Sequence, residues 1–294
     1  MSMHRLAFSL ACSLALLAGL PAGAASRPGI SGHGDARAPA WAPVQVTGGR
    51  QLDVRSEITG HAHRIFVASP GGLASEAGRP VLYVLDGNAA FPVAAFLARS
   101  VASRAEVTGD VAPLVVGIGY PGEQDFDVPA RMRDYTVGSG AATTSAKEGG
   151  ADRFLDFIEQ ELKPLIARHH PIDATRQALF GHSFGGLLVV HALLTRPTAF
   201  STYLASSPSV WWRDGLVLKN LPSLAQVPLT RVPRVQISVG SREDEPPQGK
   251  RPPDMLALMA KRQMIGPART LADQLRALPG WTRHITFHEL AGED

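Results

Sequence analysis

Between Ala178 and Leu194 the chain reads ALFGHSFGGLLVVHALL, and its centre, Gly181-x-Ser183-x-Gly185, has the spacing that presents a serine as a nucleophile. A serine hydroxyl attacks a carbonyl well only when a sharp strand-to-helix turn lifts it clear of its own backbone. Glycines two positions before and two after leave room for that turn. A short apolar run precedes the motif, and a helix-like run, LLVVHALL, follows it. The N-terminus of that helix would face the negative charge that develops on the attacked oxygen. The competing reading is a glycine-rich turn whose serine caps a helix. The flanking strand and helix favour the nucleophile.

Such a serine needs two donors for the oxyanion, a base and an acid. One donor is the backbone N–H after the nucleophile, that of Phe184. For the other, LYVLDGNAAF ends an early strand in Asp86-Gly87-Asn88, where Gly87 would allow a turn that aims the N–H of Asn88 at the substrate. The acid belongs beyond a later strand, and RVQISVGSREDE carries Glu243 and Asp244 just past Gly240. Glu243 is the first choice and Asp244 the alternate. No histidine fits the base. His284 and His288 are read on the last strand itself, His191 follows Ser183 by two helical turns, His182 lies in the elbow, and His169-His170 precede a proline. No His/Cys cluster has zinc spacing, and no phosphate loop or dinucleotide fingerprint is present.

The elements that must hold these residues follow from periodicity. RQLDVRSEI and HRIFVAS alternate and predict an antiparallel pair. PVLYVLDG, PLVVGIGY, RQALFG, STYLASSP and RVQISVG are short and almost continuously apolar, as strands buried on both faces are. RFLDFIEQELKPLI puts Phe154, Leu155, Ile158, Leu162 and Leu165 on one helical stripe, and ARTLADQLRALP does the same with Leu271, Leu275 and Leu278. RHITFHEL is a last strand. Strands alternating with helices predict a mostly parallel, doubly wound α/β sheet with antiparallel strands at its start. The segments from Thr136 and from Ser241 read as long loops on the rim of the site.

The chain has 294 residues, 45% hydrophobic and 19% charged, which suits a folded globular domain. A net charge of +3 without long Lys/Arg runs argues against nucleic-acid binding. Arg5, the apolar run Leu6 to Leu20 and the small residues Ala22-Gly23-Ala24 read as a secretory signal peptide over residues 1–25, too short for a membrane span. Residues 26–43 read as a flexible leader and 44–294 as the catalytic domain. The one cysteine, Cys12, falls in the signal segment, so the mature protein needs no disulfide. Export to the periplasm, with no membrane contact after cleavage, is the expected outcome.

LYVLDGNAAF, RMRDYT, FLDFIEQELKPLI, FGHSFGGLLVVHALLTRPTAFSTYLASSPSVWW and ISVGSRED together resemble the esterase branch of the α/β-hydrolases, and within it the periplasmic enterobactin and salmochelin esterases. The resemblance spans roughly residues 45 to 294 and implies an α/β-hydrolase fold. It puts Ser183 in the nucleophile's place, Asn88 and Phe184 at the oxyanion, Arg131 at the substrate cleft and Glu243 where the acid falls. In the family the last strand runs into Gly-Glu-x-His, whose histidine is the general base. AGED matches that pattern only as far as Asp294, so the base is expected just after Asp294 and the sequence is read as cut short. The implied substrate is a ferric catecholate siderophore such as enterobactin, a bulky anion. Trp211 and Trp212 would then wall the pocket, and Arg131, Arg133, Lys147, Arg213, Lys250 and Arg251 would border it. No metal or organic cofactor is required, since any iron belongs to the substrate. Two rival readings share these motifs: a serine esterase or acyltransferase acting on other carboxylic esters, and a degenerate hydrolase that only binds its ligand.

Overall fold

Strands covered on both faces must be apolar at nearly every position, and Leu114–Gly119 is buried at all six. It sits inside an eight-stranded sheet in a computed structural model that describes residues 44–138, 147–246 and 262–293. In chain order the strands are β1 (Gly49–Arg55), β2 (Ala62–Ala68), β3 (Arg79–Leu85), β4 (Leu114–Gly119), β5 (Ile172–His182), β6 (Thr202–Ser206), β7 (Arg234–Gly240) and β8 (Ile285–Leu290). Their spatial order is β1-β2-β4-β3-β5-β6-β7-β8. The β1–β2 and β2–β4 pairs are antiparallel, and every other pair is parallel. This is the doubly wound sheet with an antiparallel start that the sequence predicts.

The direction of winding reverses between β3 and β5. From β3 the chain crosses to β4 on one side, and from β5 it proceeds to β6, β7 and β8 on the other. Loops leaving the carboxyl ends of two such strands diverge and open a crevice between them, where ligands bind in sheets of this kind. The Asp86 turn follows β3 and Ser183 follows β5, so topology brings both to that crevice.

Side chains alternate across the sheet. Tyr83 and Leu85 join the larger core with Leu179, Leu187 and Tyr203, while Val84 joins Phe91, Ala95, Ala98 and Val115 beneath helix α1 (Gly87–Ala102). Further helices are α2 (Ala105–Thr108), α3 (Val128–Tyr135), α4 (Ala151–Phe157), α5 (Lys163–His169), α6 (Phe184–Thr195) and α7 (Ile265–Arg276). Helix α6 is buried all round from Gly185 to Leu194, as befits a helix apolar on every face. None of the described helices is long and apolar enough to cross a membrane.

Two departures from the sequence reading have local causes. A π-helical turn, Ile158–Leu162, joins α4 to α5. It adds a residue to the turn, so the buried stripe Phe154, Leu155, Ile158 and Leu162 continues at Ile166 and leaves Leu165 only partly covered. His284 closes a 3₁₀ turn, Thr282–His284, immediately before β8, and only His288 is on the strand.

His63 on β2 is a core residue. Its ring stacks on Phe157 at 4.5 Å, and Nε2 shares a hydrogen bond with Thr59 Oγ1 at 3.0 Å. Burial holds its pKa at about 4, with Asp134 opposing that shift and Arg133 assisting it. The unfolded chain therefore protonates this residue near pH 6.5 and the folded chain only near pH 4. Protonation favours unfolding in that window: the contribution is complete above pH 6.5 and is lost as pH falls towards 4. Unfolding free energy is expected to drop by about 1–2 kcal/mol between pH 7 and pH 5 on account of His63. Denaturant melts at the two pH values check this, and His63→Gln should flatten the difference.

Candidate active site

Ser183 adopts φ 58° and ψ −117°, between the end of β5 and the first residue of α6. Its backbone is tied on both sides. The Ser183 N–H donates to the Ser206 carbonyl at 3.0 Å, and the Ser183 carbonyl accepts from Leu187 at 2.9 Å and Ser209 at 3.1 Å. The glycines of the elbow divide the work. A Cβ on Gly181 would collide with the backbone of Gly185. One on Gly186 would lie 2.8 Å from the Ser206 carbonyl oxygen and 2.9 Å from Pro208 Cα, whereas one on Gly185 would meet only ordinary contacts near 3.5 Å. The third glycine of the motif is thus as necessary as the first. Among the described residues the Ser183 hydroxyl makes no hydrogen bond.

At the end of β3 the left-handed residue is Asp86, with φ 53° and ψ 48°. This corrects the expectation that Gly87 makes the turn. Gly87 opens α1, and it must be glycine because a Cβ there would stand 2.8 Å from the backbone of Gly117 and Ile118 on β4. The side chain of Asn88 is held by both ends: Nδ2 donates to the Tyr120 carbonyl at 3.0 Å, and Oδ1 accepts from the Tyr120 N–H at 2.9 Å. Its main-chain N–H has no hydrogen-bond partner assigned among the described residues. It lies in the first turn of α1, as the Phe184 N–H lies in the first turn of α6, where helices leave N–H groups without internal acceptors. The two N–H groups assigned from the sequence thus each lie at a helix start, where the dipole favours negative charge.

Glu243 and Asp244, undivided by sequence, part company in the fold. Glu243 Oε1 accepts from Ser207 Oγ and from the Gly240 N–H, each at 2.5 Å, which fixes its carboxylate across the ends of β6 and β7. Asp244 turns away and accepts from the N–H groups of Met264 at 2.6 Å and Ile265 at 3.3 Å, at the start of α7. Ser207, with φ 44°, was not singled out in the sequence. The available signal was a serine directly after an apolar strand and before a proline, as in SSPS.

Arg131, expected at the substrate cleft, is bound to the turn after β3. It is 9% exposed, and its guanidinium forks onto Asp86, with Nε to Oδ1 at 2.7 Å and a terminal nitrogen to Oδ2 at 3.1 Å. Burial pushes the Asp86 carboxyl above the usual carboxylate range, and Arg131 only partly pulls it back. Of the other cations placed on the rim, Arg133 pairs with Asp134 and Arg213 with Glu148, while Lys250 and Arg251 lie outside the described residues, as does most of the two long loops. Trp211 and Trp212 pack against Phe184, with ring centroids at 6.2 and 5.2 Å. The exposed Arg262, which periodicity gave no reason to choose, lies over the Trp211 ring at 5.3 Å.

No described histidine hydrogen-bonds the Ser183 hydroxyl. His182 Nδ1 lies 3.4 Å from Ser206 Oγ, and burial, then Arg131, lowers its pKa. His191 Nε2 pairs with Asp152 at 2.8 Å. The segment after β8 runs beside the acid loop instead: Ser241 N–H donates to the Leu290 carbonyl, Arg242 N–H to that of Glu293, and Gly292 N–H to Ser241 Oγ, all at 2.9 Å. Two surface hollows, bordered by Phe96, Arg99 and Ser103 and by Glu159, Lys163 and His170, include no residue of the elbow. Among the described residues no group of His, Cys, Asp and Glu side chains has metal-ligand spacing.

A sheet of this order, with a strained serine after β5 and open N–H groups at two flanking helix starts, defines an α/β-hydrolase of the esterase kind. The family model described as Putative esterase matches residues 56–284, and the chain belongs to that family. It is 33% identical over 252 residues to the ferri-bacillibactin esterase BesA of Bacillus subtilis, covering 83% of this chain and 82% of the relative. It is 34% identical over 225 residues to a siderophore enterobactin esterase of Emericella nidulans, covering 71% and 73%. The crystal structure of the BES protein from Bacillus cereus superposes with a TM-score of 0.70 at 32% identity, over 86% of this chain and 91% of that one.

The two carboxylates make opposite predictions. Glu243→Gln should lower kcat about 10- to 1000-fold, because a carboxylate that orients a catalytic imidazole acts mainly in the transition state. Asp244→Asn should leave kcat within about twofold and cost about 0.5–2 kcal/mol of stability through the start of α7. Steady-state kinetics and melting of the two variants check both.

Proposed function

We propose that this protein is an exported serine esterase that opens ester or lactone bonds of a ferric catecholate siderophore in the periplasm. Ser183 Oγ attacks the carbonyl carbon. The oxyanion is held by the main-chain N–H groups of Asn88 and Phe184, the alcohol leaves with a proton, and water releases the acyl group from the serine. The proton acceptor in this mechanism is a histidine, and Glu243, fixed across the ends of β6 and β7, is the carboxylate that orients its imidazole.

The observation that carries the chemistry is the elbow itself. A serine at φ 58° and ψ −117° is too costly a conformation to persist at a plain helix cap. The substrate class is supported by the relatives named for ferri-bacillibactin and enterobactin. The exposed Arg262 over Trp211, with Trp212 and Phe184 alongside, suits an anionic and aromatic ligand. Export is supported by the Arg5, Leu6–Leu20 and Ala22-Gly23-Ala24 pattern alone.

A fluorophosphonate probe should label the protein once, at Ser183, and Ser183→Ala should abolish the label. Ferric enterobactin should be cleaved with a higher kcat/KM than p-nitrophenyl acetate. The reverse preference would assign a different ester, and an unlabelled serine would leave a ligand-binding module.

A further inference from the structure

Lys163, the first residue of α5, carries an amine that the ester chemistry does not use. Its Nζ donates to the Ala199 carbonyl in the loop after α6 and lies 3.8 Å from the centre of the Phe200 ring. Among the described residues no carboxylate pairs with it. Glu159, four residues earlier, is held instead by Arg196 at 2.9 Å, and Arg196 also holds Asp156 at 2.7 Å. Burial, which Glu159 only partly offsets, brings the Lys163 ammonium down to a pKa of about 8. Beside the amine is a surface hollow of about 440 Å³, bordered by Ala167, His170, Ile172 and Ala174. Burial lowers the pKa of His170 as well, so that ring adds no permanent charge there. Ile172 and Ala174 begin β5, and Ser183 follows its last residue, so the hollow is at the opposite end of the sheet from the elbow.

We propose that Lys163 is a covalent modification site, an amine beside an apolar hollow that accepts small uncharged acyl groups from activated esters. A lysine held against apolar and aromatic groups without an ion-pair partner is the usual form of a nucleophilic amine. Once neutral, the amine keeps one N–H for the Ala199 carbonyl and turns its lone pair to the acyl carbon. The N–C bond forms, the C–O bond to the leaving alkoxide or phenoxide breaks, and the proton released from nitrogen goes to water. The amide that results has a single N–H, which still serves Ala199, and it has lost the charge that burial penalises. Ala167, Ile172 and Ala174 give the acyl group an apolar bed. An anionic acyl group would find no cation there, because the reaction consumes the only one at the border of the hollow. The site does not depend on Ser183 and stands apart from ester hydrolysis.

The test uses the Ser183→Ala protein, in which the serine cannot consume the reagent. It is treated with p-nitrophenyl acetate at pH 7.5, and acetylation of each lysine is followed over time by peptide mass spectrometry. A lysine of pKa about 10.4 is roughly 0.1% neutral at that pH, and one of pKa about 8 is roughly 25% neutral. Weaker basicity offsets part of this gain, so Lys163 should be acetylated about tenfold faster than the exposed Lys219. Ala167→Glu, one turn further along α5, sets a carboxylate beside the ammonium and should slow Lys163 to the rate of Lys219. Unfolding in urea, which needs no further variant, should abolish the difference too. Equal rates at Lys163 and Lys219 in the folded protein overturn the proposal. So does a preference for Lys163 that survives in urea or in a folded Ala167→Glu variant. Because the nucleophilic serine is missing throughout, none of these outcomes bears on the esterase reading, which the fluorophosphonate label decides.

Discussion

Everything at this site depends on how the residue just past each strand end is tied to the next strand. Ser183 after β5 donates its N–H to Ser206, the last residue of β6. Ser207 after β6 donates to Ser238 on β7 at 2.7 Å, and Ser241 after β7 donates to Leu290, the last residue of β8. The rim of the sheet is thus stitched in one line from Ser183 to the segment that follows β8. Two of these residues, Ser183 and Ser207, have positive φ, a conformation that costs an ordinary side chain about 1–3 kcal/mol. The bonds hold that strain in place. Gly186 completes the lock, because its bare Cα lets α6 settle against the Ser206 carbonyl.

The second constraint is electrostatic. Oxyanion stabilisation is strongest where water is scarce, but scarcity of water makes any charge below the site expensive. Asp86 and Arg131 meet that cost by bonding each other at two points, and the upward shift of the Asp86 carboxyl shows that burial still outweighs the pairing. A buried pair of this kind is weak evidence of net stability. Its consequence here is geometric: it ties helix α3 to the turn that carries Asn88, while Asn88 ties the start of α1 to Tyr120 after β4. Three separate segments therefore fix one main-chain N–H.

The framework was largely legible in the sequence because strands buried on both faces read as unbroken apolar runs and the nucleophile has a local signature. Ser183, Asn88, Phe184 and Glu243 each follow a strand end, so ordering the strands was enough to order the residues. What stayed hidden depends on distances along the chain or on backbone shape. Asp86 and Arg131 are 45 residues apart, and nothing in RMRDYT distinguishes an arginine facing substrate from one facing a buried carboxylate. The turn at Asp-Gly was assigned to the glycine, the usual bearer of positive φ, although the nearby β4 backbone reserves Gly87 for close approach and passes the left-handed conformation to Asp86. Glu243 and Asp244 are chemically alike and adjacent. Only the arrival of α7 beside one of them and Ser207 beside the other tells them apart.

That division also links the Trp211 side chain to the loop that carries Glu243. Asp244 holds the N–H groups of Met264 and Ile265, and Met264 Sδ lies 3.0 Å from Trp211 Nε1. Trp211 carries Arg262 on its face and packs on Phe184, the first residue of α6. One residue earlier on the same loop, Glu243 is bonded to Ser207 and Gly240. The Trp211–Arg262 wall is thus joined through Met264 to Asp244, while Glu243 beside it is held by the ends of β6 and β7.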